Sequence, residues 1–268
     1  MLQRTIALFR ALRLALHIGY GLLMAVIYPR LSTAMRRTIL QHWSADLLNI
    51  FNVKLDAPSF DGMQSGLIVS NHISWLDVFV LNSTVPMRFV AKSEVRRWPA
   101  IGWLCARAQT LFIERGNARA AARINARLGE SMQQGESLAV FPEGTSTDGA
   151  QVAHFHAFLL QPAIDAGVPL HPIAIRYQDE SGARSTAAAY FDDISFGASM
   201  WTLLNTPKLH VRLMPTPSLH AADFERRELA RRAHESISAA LQQAESHKLH
   251  IALTHPQHSD TNLLPSTT

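Results

Sequence analysis

Short apolar runs punctuate the middle of the chain, each bounded by turn formers or by a stretch of different rhythm. Residues 66–69, 88–91, 110–113, 137–141, 170–175 and 209–213 predict buried strands, because continuous apolar stretches of this length suit a sheet covered on both faces. Between the third and fourth, residues 117–134 are rich in alanine and arginine and predict a helix ended by Gly135. Residues 224–247 predict an amphipathic helix that opens with Glu225, Arg226, Arg227 and Glu228. The alternation predicts an α/β fold with a central, mostly parallel sheet flanked by helices. A turn-rich segment, residues 56–62, marks the entry to this main domain, which is expected to occupy 56–250. Residues 251–268 are read as a tail, and from His255 onward the lack of periodicity predicts disorder. No internal repeat is present.

The first 55 residues have a different pattern and predict a two-helix membrane-associated element. Residues 14–28 are almost continuously apolar, and a second, amphipathic helix is expected over 31–51. The apolar core would be roughly 22 Å long as a helix, short of a ~30 Å hydrocarbon layer. Extending it back through Ile6 brings Arg10 and Arg13 into the layer, where they would have to snorkel. A cleaved signal peptide and a buried core helix are the competing readings. Met1 to Ala45 contain six arginines and no acid, a charge placement that suits an anionic lipid leaflet.

Bulk composition sharpens this picture. At 268 residues the chain can bury one sizeable core. With 47% apolar and only 17% charged residues it is apolar for a soluble domain. The single Cys105 excludes an intrachain disulfide. The net charge of +4 favours an anionic partner. Because the excess surrounds an apolar segment, lipid fits better than duplex DNA, and no nucleic-acid partner is expected.

The chemistry-bearing residues follow strand ends. His72 and Asp77 come directly after the first strand, a base and a carboxylate able to orient it. No serine, threonine or cysteine stands in a nucleophile elbow, so the hydroxyl to be activated belongs to the substrate, which points to a transferase. On a regular helix five residues are about 140° apart, so the pair meets only if His72 precedes the helix and Asp77 turns back from its first turn. Asn71 or Ser74 could cap that helix. After the fourth strand, Phe141-Pro142-Glu143-Gly144-Thr145-Ser146 could cradle a phosphate or oxyanion, or be an ordinary turn. Arg115, just past the third strand, matches phosphate oxygens, although a solvated arginine is the commoner case. Residues 168–175 form an apolar strand broken by Pro169 and Pro172, consistent with a sheet edge or the wall of an acyl site.

Taken in order, His72-x4-Asp77, Phe112-Ile113-Glu114-Arg115, Phe141-Pro142-Glu143-Gly144-Thr145 and Val168-Pro169-Leu170-x-Pro172 resemble the lysophospholipid acyltransferase family, typified by bacterial 1-acyl-glycerol-3-phosphate acyltransferases. The likeness covers roughly Gly66 to Tyr177 and includes Lys92-Ser93-Glu94-Val95 and Pro99-x-Ile101-Gly102. It implies catalysis by His72, as general base on the acceptor hydroxyl, with Asp77 orienting it. It implies that Arg115 grips the acceptor's phosphate, that Glu143, Gly144 and Thr145 line the acceptor pocket with Lys92 nearby, and that Pro172 belongs to the acyl-donor side. The donor would be acyl-carrier protein or acyl-CoA, with no metal or other cofactor. The membrane would be the bacterial inner membrane, approached from its cytoplasmic face.

One departure bears on the acceptor. Phosphatidate-forming members commonly carry an arginine after the Glu-Gly-Thr block, whereas Ser146-Thr147-Asp148-Gly149 stands here. That continuation is similar to relatives that acylate lyso-ornithine lipid, whose headgroup has no phosphate. Lys92, Arg96, Arg97 or Arg107 could supply the charge instead. Two readings from other classes remain beside this one: a non-catalytic lipid-binding protein, and a metal-dependent hydrolase prompted by His154-x-His156.

Overall fold

The computed structural model describes residues 2–113 and 118–254. An eight-stranded sheet forms the centre, built from β1 (Val53–Asp56), β2 (Leu67–Ser70), β3 (Arg88–Lys92), β4 (Leu111–Ile113), β5 (Leu138–Val140), β6 (Pro169–Gln178), β7 (Leu209–Pro215) and β8 (Leu219–His220). The strand order is β1-β7-β6-β2-β5-β3-β4, with β8 paired to the start of β6. Pairing is parallel except where β6 meets β7 and β8. The mostly parallel sheet of the α/β reading is therefore present.

Strand side chains alternate between two cores, which is why the runs read as continuously apolar. Ile68, Ala139, Ile173 and Ile175 face one core; Leu67, Val69, Leu138, Val140 and Leu170 face the other. On the first face lie α1 (Leu2–Ile27), α2 (Thr33–Ile50), α3 (Asp77–Asn82) and α7 (Phe196–Asn205). On the second lie α5 (Ala118–Gln133), α6 (Gln161–Ala166) and α8 (Arg226–Thr254). The remaining helix, α4 (Ile101–Arg107), follows a 3₁₀ turn at Ser93–Arg97. The helix α8 continues to Thr254, into the segment read as a tail, and residues 255–268 lie outside the described residues.

The chain leaves β2 into α3 on one face and leaves β5 into α6 on the other. Because β2 and β5 are parallel neighbours, their carboxyl ends open a crevice at a topological switch point, where α/β sheets gather ligands.

The N-terminal helix is not a buried core helix. Leu8, Phe9, Leu12, Leu16 and Leu23 are each more than half exposed, whereas Ala7, Leu14 and Ala25 face the protein. Its length and composition would suffice to cross a bilayer. Arg10 does not snorkel: its guanidinium donates to the carbonyls of Leu204, Thr206 and Pro207, closing the orphaned C-terminus of α7. His17 stacks on Trp43 of α2 at 4.6 Å, which fastens the two N-terminal helices together.

The prolines of β6 do not mark an edge. This strand is interior, flanked by β2 and β7. Pro172 accepts from the Thr216 amide on the β7 side, so its own nitrogen faces that side too. There it meets the gap between the β8 pairing, which ends at Leu170, and the β7 pairing, which begins at Ile173. A missing N–H costs nothing at that point.

Candidate active site

Four buried residues end β2, and the chain then turns sharply. The turn is held by Asn71, whose carboxamide donates to the Ile175 carbonyl at 3.0 Å and accepts from the Ile175 amide at 2.8 Å. His72 follows in the loop, and Asp77 is the first residue of α3. The imidazole Nδ1 lies 2.9 Å from Asp77 Oδ2, so the pair meets in the way the helix geometry required. Neither Asn71 nor Ser74 caps α3. Asn71 is committed to β6, and the Ser74 hydroxyl accepts from the Leu76 amide.

Asp77 is wholly buried and accepts from four donors. Besides the imidazole, Oδ2 takes the amides of Ile73 and Ser74 at 2.8 and 2.9 Å. Oδ1 takes the hydroxyl of Tyr177 at 2.8 Å. The amides of Ile73 and Ser74 can only donate, so Oδ2 is an acceptor; Nδ1 donates to it and Nε2 presents its lone pair. The His72 ring stacks on Phe141 at 4.1 Å, and its side chain keeps 20% exposure. Among the described residues, no group hydrogen-bonds Nε2.

Tyr177, the residue sequence reasoning missed, is fully buried in β6; burial first, and then contact with Asp77, holds its phenol well above the ordinary value. A tyrosine ending an apolar strand needs a buried partner, and that was the available signal. Tyr177→Phe keeps the ring and deletes one donor. It should lower stability by about 1 kcal/mol. It should also lower kcat severalfold with little change in KM, because it acts through Asp77. An unchanged kcat would show that Tyr177 only fills space.

Glu143 lies across the crevice from β2, and both of its oxygens are engaged. Oε1 accepts from the His72 amide at 2.7 Å, and Oε2 from the Ala153 amide at 2.8 Å. Burial raises its carboxyl from the ordinary 4.5 to about 7, against those two amides and with a further push from the Asp77 charge. The folded protein thus holds a proton that the unfolded chain has lost between about 4.5 and 7. Stability from this group is complete below about 4.5, falls as pH rises, and levels off above about 7. The predicted difference is roughly 3–4 kcal/mol across that window. Denaturant unfolding at several pH values, with Glu143→Gln as the non-titrating reference, checks it; a pH-independent difference between the two proteins would contradict it.

Gly144 adopts φ +66°, which turns the chain after Glu143, and its amide donates to Phe141. The exposed Thr145 follows. Among the described residues, the amides of Thr145 and Ser146 have no acceptor. Ser146 Oγ donates to the Tyr190 carbonyl, and Thr147 donates through its amide and hydroxyl to the His72 carbonyl at 2.9 and 3.3 Å. Asp148 pairs with Arg184 at 3.3 Å; its carboxyl is lowered first by the Ala150 amide and then by Arg184. The Ser-Thr-Asp continuation is therefore spent inside the fold, bracing the His72 loop.

Of the other expected site residues, Lys92 ends β3 at the carboxyl edge. Pro172 pairs in register with Val69, below the crevice and inside the sheet, so it is not brought to His72. Arg115 lies outside the described residues. His154 and His156 have ring centroids 5.7 Å apart, and among the described residues no three His, Cys, Asp or Glu side chains converge as a metal site would require.

An imidazole held by a buried carboxylate meets a neighbouring glycine turn at the switch point. Residues 56–176 match the family model described as Acyltransferase. The chain is 35% identical over 212 residues to the lyso-ornithine lipid O-acyltransferase of Pseudomonas aeruginosa, covering 78% of this chain and 80% of that one. It is 36% identical over 176 residues to the 1-acyl-sn-glycerol-3-phosphate acyltransferase of Neisseria meningitidis serogroup B, covering 65% of this chain and 69% of that one. The crystal structure of the 1-acyl-sn-glycerophosphate acyltransferase of Thermotoga maritima shares the fold, with a TM-score of 0.66 at 19% identity, over 92% of this chain and 96% of that one. The chain belongs to the acyltransferase family and is an O-acyltransferase.

Proposed function

We propose that the protein transfers an acyl chain from a thioester donor, acyl-carrier protein or acyl-CoA, to the free hydroxyl of a lysolipid. The observation that carries this is the His72–Asp77 pair, which has an oriented Nε2 lone pair and no protein nucleophile within its own motif. Nε2 takes the proton of the lipid hydroxyl as its oxygen attacks the thioester carbonyl. Asp77 stabilises the imidazolium that forms. The unpaired amides of Thr145 and Ser146 are the donors for the developing oxyanion. Collapse of the tetrahedral intermediate breaks the C–S bond, and the imidazolium returns its proton to the departing thiolate. No step requires a metal or further cofactor. The site assignments follow: His72 and Asp77 are catalytic, and Lys92, Arg115, Glu143, Gly144 and Thr145 surround the acceptor. Glu143 acts by fixing the His72 backbone, and Pro172 acts only through the strand it belongs to.

The preferred acceptor is 1-acylglycerol-3-phosphate, giving phosphatidate in phospholipid biosynthesis. The Neisseria relative carries that activity in its name, Lys92 ends β3, and Arg115 is the second residue after β4 in the sequence. One observation favours lyso-ornithine lipid as a second reading: the position after Thr145 offers no cation, because Ser146, Thr147 and Asp148 are bonded internally. The exposed apolar face of α1 and the bacterial source of these relatives support work at the cytoplasmic face of a bacterial inner membrane. Purified protein with labelled acyl-carrier protein or acyl-CoA and a panel of lysolipids tests the reading. Conversion of lysophosphatidate alone is expected; conversion of lyso-ornithine lipid alone would establish the second acceptor, and conversion of neither would overturn both.

A further inference from the structure

A second cationic feature lies away from His72. At the free edge of the sheet, beside β4, a cleft of about 710 Å³ is walled by Arg96 and Arg97 on one side and by Arg123, Arg127 and Glu130 of α5 on the other. Phe112 of β4 lies between them, and the Arg96 guanidinium sits 5.8 Å from its ring centroid. All four arginines are exposed, and among the described residues none has a carboxylate within ion-pair distance. Four guanidiniums face one carboxylate. The excess of positive charge favours an anionic ligand, and the volume falls in the range of small-molecule sites.

In the proposed reading the acceptor's phosphate is taken by Lys92 and Arg115, so the four arginines of the cleft are left for a different anion. In a 1-acylglycerol-3-phosphate the phosphate is on the carbon next to the reacting hydroxyl, and a lyso-ornithine lipid has none. The donor has the right geometry: its thioester sulfur ends a long pantetheine arm whose other end is a phosphate ester. We infer that the four-arginine cleft binds the phosphate end of the acyl donor, holding the pantetheine arm along the carboxyl edge of β3 and β5 toward His72. This rests on the acyl-transfer reading and specifies where its donor lies. A phosphopantetheine phosphate is common to coenzyme A and carrier protein, and coenzyme A adds nucleotide phosphates.

The test uses the full chain with Arg123→Gln and Arg127→Gln combined, two changes on the solvent side of α5. Acyl-CoA, acyl-carrier protein and phosphate-free S-acyl-pantetheine serve as donors. The preference in kcat/KM for phosphate-bearing over phosphate-free donor is expected to fall on the order of tenfold, as for lost charged hydrogen bonds, with the acceptor KM unmoved. Arg→Lys at both positions should restore part of it. A fall with both natural donors assigns the pantetheine phosphate, and a fall with acyl-CoA alone assigns the nucleotide phosphates. A misfolded variant would lose all donors alike and leave the ratio intact, so Arg96→Gln and Arg97→Gln provide a second pair. An unchanged preference in both pairs, or a rise in acceptor KM instead, overturns the inference. If the wild type transfers from no donor, the acyl-transfer reading falls on its own. Calorimetric titration of coenzyme A and holo-carrier protein then decides the cleft: about tenfold weaker binding in the variants supports it, and equal or absent binding rejects it.

Discussion

Replacing His72 by alanine should lower acyl transfer by on the order of 10²–10⁴-fold, the range for a lost general base, while the protein stays folded. The two halves of this expectation come from different contacts. In the proposed mechanism the rate depends on Nε2, which has an exposed path and no protein partner among the described residues. The fold depends on the backbone of His72, whose amide and carbonyl are held by Glu143 and Thr147 whatever the side chain is. The lost ring is replaced by a gap over Phe141 at a partly exposed position, a modest change. Steady-state transfer from labelled acyl thioester, beside a thermal melt, measures both. A variant within tenfold of the wild type would remove His72 as the base.

At Asp77 rate and fold are expected to come apart only when two substitutions are compared. Asp77→Ala strands the buried amides of Ile73 and Ser74, the Tyr177 hydroxyl and the imidazole, so unfolding should become easier by about 3–5 kcal/mol. Asp77→Asn is nearly isosteric. Its carbonyl oxygen can keep the three bonds now made to Oδ2, and its amide nitrogen can donate to the Tyr177 oxygen. Stability should then hold within about 1 kcal/mol. What disappears is the negative charge beside the imidazolium, worth about 1.5–3 kcal/mol as a charge-assisted bond, or roughly 10- to 100-fold in rate. Equal rates for wild type and Asp77→Asn would mean that orientation alone suffices.

These expectations show what was legible in the sequence. Six of the eight strands coincide with apolar runs, because a doubly covered sheet forces continuous apolarity. The short β1, Val-Lys-Leu-Asp, alternates like a one-sided strand beside a turn-rich segment, and two-residue β8 is too brief to carry a pattern. Helix geometry sufficed to place His72 before α3. Which polar groups complete the site was not legible. Tyr177 reaches Asp77 across 100 residues, and a carboxylate's second oxygen leaves no periodic trace. Pro172 misled because a ladder gap, unlike an edge, is invisible without the partner strands. Ser146 to Asp148 were read for what they would offer a substrate, whereas their bonds are internal.

Asn71 places a last constraint on the chain. Its side chain bonds to Ile175 as the next residue of a β-ladder would, with one donor and one acceptor, yet its own backbone has already turned away. Of the twenty side chains only asparagine combines that length with that pair of groups. Aspartate has no donor, and glutamine reaches one methylene too far. Asparagine is thus the residue that best fills the position directly before the histidine, for reasons that involve no substrate at all.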